Sequence, residues 1–217
     1  MDVTGRAVAG IVLAAGASSR MGRPKMLLAL GGGTLLHSVT RALLDGGLGR
    51  VVVVLGHQAD LIRREAGLPE DERLEVVVNE GWPSGMASSL RRGLEACADA
   101  EAALVALGDQ PGITAERVRR IVSAWRPGVS LVLPVHGGRA GHPVLFGKRL
   151  WPELEDLEGD VGGREVVRRH LAEAVQVTAE PLADLDTEED LRRHLSGAPL
   201  PDFGLELPGS PCRTGRH

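Results

Sequence analysis

A chain of 217 residues with 43% hydrophobic content is long enough for one substantial core and cramped for two. A formal net charge of -4 with no long Lys/Arg run leaves no electrostatic footprint for nucleic acid, and no stretch approaches the ~20 apolar residues of a membrane span. Two cysteines, Cys97 and Cys212, are too few for a disulfide framework or a cysteine zinc site, and the N-terminus lacks a signal-peptide pattern, so a soluble, cytoplasmic protein is expected.

Apolar, largely β-branched runs recur at residues 8–13, 51–55, 74–78, 102–107 and 130–133. They are continuous, the signature of strands buried on both faces. Helical periodicity lies between them: Leu35, Val39, Ala42 and Leu43 share a face, as do Met86, Leu90, Leu94 and Cys97, and Val118, Ile121, Val122 and Trp125. Strands alternating with helices predict right-handed βαβ units, hence a Rossmann-like three-layer α/β/α domain with a mostly parallel sheet over residues 1–196. Past Pro134 the pattern is irregular, with a short strand expected at 144–146, a helix at 163–173 and a strand at 174–177. The segment 138–178 is therefore expected as an acceptor lobe or lid. A last helix, 187–195, opens with a capping box of Thr187 and Asp190, and the proline-bearing residues 197–217 read as a mobile tail.

In such folds ligands bind beyond the carboxyl ends of the strands, which directs attention to the residues just past each apolar run. Gly supplies 29 of the residues, so spacing rather than any single glycine has to carry a motif. After Leu13 comes a turn of small residues, Ala14, Ala15, Gly16, Ala17, Ser18 and Ser19, whose N–H groups can cradle an anion, followed by the cations Arg20 and Lys25. The spacing is neither a P-loop nor a dinucleotide fingerprint, and a solvated loop is the competing reading. The third run ends at Asn79 and leads into a helix that Ser84 can cap, where Gly85 lets a ligand approach free N–H groups. Asp109 ends the most uniformly apolar run, a place for a Mg²⁺ ligand or simply a turn former, and Asp186 offers a second carboxylate or a helix cap. Gly138, Gly141, Gly159, Gly162 and Gly163 allow close backbone approach, and Arg139, His142, Asp160 and Arg164 carry groups able to contact a polar substrate.

Taken in order, LAAGASSRMGRPK, NEGWPSGMASSL, GDQP, GHPVLF, GDVGGR and DLDTEED resemble the nucleotidyltransferases that mature the molybdenum cofactor, above all the molybdenum cofactor cytidylyltransferases. The likeness spans residues 8–195. It implies a nucleotide-diphospho-sugar transferase-like fold and transfer of CMP from CTP to the phosphate of molybdopterin, with Mg²⁺ as cofactor and pyrophosphate as product. It implies Leu13, Ala14, Ala15, Gly16, Arg20 and Lys25 around the nucleotide and Asn79 and Gly85 near its base or ribose. Arg20, Lys25 and Asp109 would be catalytic, Asp109 and Asp186 would hold the metal, and Gly141, His142, Asp160 and Arg164 would meet the acceptor. Guanylyltransferase relatives usually read Leu-Ala-Gly-Gly, so Ala15 points to cytosine. Glu188 stands where related cytidylyltransferases commonly carry proline. Expected partners are CTP, molybdopterin and a molybdoenzyme or its maturation chaperone, with no nucleic acid or membrane. The alternatives are a guanylyl- or sugar-phosphate nucleotidyltransferase and a non-catalytic cofactor carrier.

Overall fold

The apolar runs become the strands of one nine-stranded sheet. The computed structural model describes residues 7–17, 24–30 and 32–182, together with the backbone of 205–206. In chain order the first half contains β1 (Val8–Ala14), β2 (Ala29–Leu30), β3 (Gly33–Thr34), α1 (Leu35–Asp45), β4 (Arg50–Leu55), α2 (Ala59–Glu65), β5 (Leu74–Val78) and α3 (Met86–Ala96). The second half contains β6 (Ala102–Leu107), α4 (Ala115–Ala124), β7 (Leu131–His136), β8 (Arg139–Ala140), β9 (Val144–Gly147), α5 (Trp151–Glu155), α6 (Arg164–His170), β10 (Val175–Thr178) and β11 (Leu205–Glu206).

The sheet order is β11-β8-β7-β9-β6-β1-β4-β5, with β10 beside β7. Strands β5, β4, β1 and β6 are mutually parallel, and β1 lies central, pairing Val12 with Val53 on one side and with Ala106 on the other. β9 enters antiparallel between β6 and β7, while β10 returns parallel to β7. Along β1 the period-2 alternation of side chains sends Val8, Val12 and Ala14 to one core cluster and Ala9, Ile11 and Leu13 to the other. The first cluster is closed by α1 and α4 through Leu36, Val39, Leu43, Val118 and Ile121; the second is closed by α3, α5 and α6 through Leu90, Leu94, Leu154 and Val166. Each such fully buried aliphatic contributes roughly 1.5–3 kcal/mol of transfer free energy, which fixes the sheet as a rigid platform for whatever its carboxyl edge carries.

Local capping follows the side-chain chemistry in two helices: the hydroxyl of Thr34 accepts from His37 N at 3.1 Å, and that of Thr114 from Arg117 N at 3.2 Å. Two features depart from expectation. β7 continues through Pro134, because its neighbours change there: β9 pairs with Leu131 and Val132, β8 with Val135 and His136, so no antiparallel partner needs the missing N–H. The helix expected at 163–173 is α-helical only over α6, and residues Leu171–Glu173 tighten into a 3₁₀ turn. Segment 138–178 contributes β8, β9 and β10 to the main sheet and α5 and α6 to its face. The expected helix at 187–195 lies outside the described residues, and of residues 197–217 only Leu205–Glu206 are described, pairing antiparallel with Arg139–Ala140.

Candidate active site

A cleft of about 460 Å³ opens at the carboxyl ends of β1 and β6, lined by Leu13, Ala15, Gly16, Ala17, Lys25, Met26, Trp82, Pro83, Gly85, Met86, Ser89, Leu107, Asp109 and Asp160. Backbone hydrogen bonds hold the strand ends in register, Gly108 N donating to Leu13 O at 2.9 Å and His57 N to Ala15 O at 3.1 Å. Lys25 is not the mobile point charge its length implies. It opens a 3₁₀ turn, Lys25–Leu27, whose Met26 is sunk in the core, and the lysine itself is only 8% exposed. A cation so largely buried acts on a phosphate in the cleft through a lower effective dielectric than one in bulk water.

Not every expected nucleotide contact lines this cleft. Ala14 points away into the core, as period-2 alternation beside cleft-lining Leu13 requires. Asn79 is buried and its amide is already engaged: Nδ2 donates to Ser88 and Ser89 Oγ at 2.8 and 3.0 Å, and Oδ1 accepts from Gly81 N at 3.0 Å. It anchors the turn before α3. Ser84 does not cap α3 either, since its hydroxyl donates to Gly81 O at 2.7 Å. Arg20 and Asp186 lie outside the described residues.

The N-terminus of α3, expected to present free N–H groups to a ligand, is instead met by residues 157–163. Ala87 N donates to Gly159 O at 3.1 Å and Met86 N to the Asp160 carboxylate at 3.3 Å. Gly85 is the residue that permits this, with φ 108°, ψ 179° and no Cβ; a Cβ there would lie 2.2 Å from the carbonyl carbon of Gly159. The guanidinium of Arg91 fastens the start of the strap, donating to Glu155 O at 3.0 and 2.7 Å and to Leu157 O at 3.0 Å. Asp160 thereby borders the first cleft with Asp109. Asp109 offers a hard carboxylate to a cleft open to phosphates, and Mg²⁺ or Mn²⁺ takes one or two such protein oxygens with substrate and water completing the shell, whereas the Asp160 carboxylate already accepts from Met86 N. The residues present fit such an ion, although among the described residues no group of three or more His, Cys, Asp or Glu converges.

A second cavity, also about 460 Å³, adjoins the first and shares Leu13, Met86, Leu107 and Asp160 with it. Gly141, His142, Asp160 and Arg164, the four expected acceptor residues, all line it, over an apolar floor of Val105, Val144 and Phe146. His142 is deeply set: burial first and the Arg164 cation second push its pKa down to about 4, so the ring is neutral near pH 7. Its Nδ1 has no hydrogen-bond partner among the described residues, nor has Oε1 of the neighbouring Gln110. Arg117, unremarked in the sequence because it looks like a solvated helix charge, is 8% exposed and positions this corner. Its guanidinium donates to His142 O at 3.0 Å and to Glu180 O, and burial pulls its pKa down against the favourable Glu180 carboxylate.

The neutral His142 has a consequence for stability. The folded ring takes up its proton near pH 4 and a solvated one near 6.5, so between those values the unfolded chain binds more protons and stability falls as pH falls. The full shift amounts to about 3 kcal/mol, complete below the folded pKa. Urea denaturation at pH 7 and 4.5 should show His142→Gln losing markedly less stability over that interval than the parent; equal losses would mean that the ring is solvated.

The MobA-like NTP transferase domain matches residues 10–175 of the chain. The nicotine blue oxidoreductase of Paenarthrobacter nicotinovorans is 38% identical over 200 residues, 87% of this chain and 96% of that protein. The molybdenum cofactor cytidylyltransferase of Escherichia coli K12 is 27% identical over 181 residues, 83% and 91% of the two chains. A Mycobacterium tuberculosis H37Rv protein, crystallised as a complex with manganese, superimposes with a TM-score of 0.73 at 27% identity, covering 88% of this chain and 99% of that one.

Proposed function

The chain belongs to the MobA-like NTP transferase domain family, and from that premise we propose that it transfers CMP from CTP to the phosphate of molybdopterin, releasing pyrophosphate. The observation that carries the reading is the shared wall. Leu13, Met86, Leu107 and Asp160 border both cavities, so a triphosphate against Lys25 and Asp109 would expose its α-phosphorus to an acceptor held in the second. That second cavity sets an apolar floor of Val105, Val144 and Phe146 beside the polar side chains of His142, Asp160, Arg164, Glu165 and Arg168, which supports an acceptor that joins a flat ring system to polar and anionic groups. Ala15 supports cytosine, and the membership in the family supports an NTP as donor.

The chemistry asks for positioning and charge neutralisation. A phosphate monoester has a second pKa of about 6, so the acceptor oxygen is already anionic near neutral pH and no general base is needed. That oxygen attacks the α-phosphorus in line, the bond to the bridging oxygen breaks, and its electron pair leaves with pyrophosphate. A divalent ion on Asp109, with Asp186 the expected second carboxylate, would neutralise the triphosphate; the manganese of the Mycobacterium tuberculosis relative supports that class of ion. Lys25, with Arg20 as its expected companion, meets charge developing on the leaving group. His142 and Arg164 orient the acceptor, the neutral ring through a hydrogen bond and the guanidinium through its charge. Lys25→Ala should lower turnover by roughly 10²-fold in protein that thermal unfolding shows to be folded at the assay temperature. A near-normal rate would remove Lys25 from the chemistry.

The deciding assay is pyrophosphate release by purified protein with molybdopterin, Mg²⁺ and each NTP in turn, where CTP should give the highest rate. A GTP preference would make it a guanylyltransferase, turnover with a sugar phosphate would move the acceptor class, and acceptor binding without pyrophosphate would leave a carrier. Because the 38%-identical relative bears the name nicotine blue oxidoreductase, a parallel arm tests whether the purified protein turns over nicotine blue with an added reductant. Reductase turnover without pyrophosphate overturns the transferase reading.

A further inference from the structure

The chain has three tryptophans, two phenylalanines and no tyrosine. Among the described residues Phe146, Trp125 and Trp151 are buried, and the two indole N–H groups donate internally, Trp125 to Val129 O at 3.1 Å and Trp151 to Phe146 O at 3.3 Å. Trp82 alone of the described aromatics of this kind is left partly exposed, and it lines the first cleft and not the second. An indole left partly exposed at the wall of an open cleft forgoes burial that a small aromatic complement could have used elsewhere.

The side chain is held in place from several directions. The ring of His57, at the end of β4, packs against it in a T-shaped arrangement, centroids 4.8 Å apart and planes inclined at 64°. Its Cβ lies so close to Gly56 that a Cβ there would approach to 2.6 Å. Trp82 N donates to Asn79 O at 3.3 Å, Trp82 O accepts from Gly85 N at 3.1 Å, and Pro83 restricts its backbone. An exposed indole with a fixed orientation is a surface for stacking a planar ring.

We infer that Trp82, braced by His57, is the platform on which the nucleobase of the bound triphosphate stacks. Pyrimidine and purine faces both suit it, so the platform supplies affinity for a base and leaves discrimination between bases to other groups. The inference rests on the nucleotide reading proposed above. It differs from that reading in concerning binding alone.

Intrinsic fluorescence isolates the site, since Trp125 and Trp151 are buried away from the cleft. Titration with CTP or GTP should quench emission, while inorganic triphosphate, which has no base, should compete with CTP without quenching. In Trp82→Phe the quench should vanish while CTP still binds, and Trp82→Ala should weaken CTP roughly tenfold while leaving the inhibition constant of triphosphate unchanged. CTP affinity within twofold of the parent in Trp82→Ala, or equal quenching by triphosphate, overturns the platform even if pyrophosphate is released. Failure of every NTP to bind overturns the platform and the nucleotide reading together, whereas NTP binding with a Trp82-dependent quench but no pyrophosphate release supports the platform and counts against the transferase alone.

Discussion

Asp109→Asn should reduce pyrophosphate release by 10³-fold or more while leaving the melting temperature within a few degrees of the parent, larger than the ~10²-fold loss of one hydrogen-bond donor to a developing anion. The residue follows β6, whose side chains are buried from Ala102 to Ala106, and the backbone at this point is secured by Gly108 N to Leu13 O and Gln110 N to Leu107 O, at 2.9 and 3.3 Å. The carboxylate borders the cleft. Asparagine keeps the shape and removes the negative charge, and with it the hard anionic oxygen a divalent ion requires. Pyrophosphate release, acceptor binding and thermal unfolding measured together decide the case. Lost turnover with retained acceptor binding assigns Asp109 to the chemistry; retained turnover makes it a turn residue. A collapse of the melting temperature would show that the carboxylate serves the fold.

How much of this was legible in the residues differs from element to element, for physical reasons. Continuous apolar runs of five or six residues such as 51–55 and 102–107, set between helical patterns, read as strands covered on both faces, and β4 and β6 fall on them. α2 offered no such signal, since Ile62 is its one buried residue. At the site, Asp109 was visible because a carboxylate directly after a buried strand has few structural uses. Asn79 was less legible, since its amide is engaged within the chain and it does not line the cleft. A polar residue at a strand end reads the same whether it meets a ligand or satisfies Ser88, Ser89 and Gly81, and only the positions of those partners, nine or ten residues away for the serines, decide it. Arg117 was hidden for the same reason: helical spacing does not show that His142 O and Glu180 O, 25 and 63 residues later, converge on its guanidinium. Trp82 carried no distinguishing signal, because periodicity cannot separate a wall of the core from a wall of a cleft.

Gly85→Ala is expected to destabilise the protein by about 2–4 kcal/mol, combining the cost of a glycine-only backbone region with a backbone collision. At φ 108° and ψ 179° an alanine is strained in itself, and its Cβ would fall 2.2, 2.3 and 2.6 Å from Gly159 C, Gly159 O and Asp160 N. These are main-chain atoms and have no rotamer by which to withdraw. Residues 157–163 must therefore lift from α3, breaking Ala87 N to Gly159 O and Met86 N to the Asp160 carboxylate while Arg91 still holds Glu155 and Leu157. Gly128→Ala provides the control, because its φ of 93° carries the same kind of strain with nothing within 4 Å of the added carbon. That variant should lose only about 1 kcal/mol. The melting temperature of Gly85→Ala should accordingly fall by roughly 5–15 °C, several times the fall in Gly128→Ala. Lifting the strap also moves Asp160 out of the wall common to both cavities and Val161 and Arg164 at the mouth of the second. KM for the acceptor should rise more than KM for the nucleotide, whose proposed contacts lie on β1, Lys25, Trp82 and Asp109. Equal melting temperatures in the two glycine variants would mean that the strap yields freely, and α3 would then have N–H groups to offer a ligand after all.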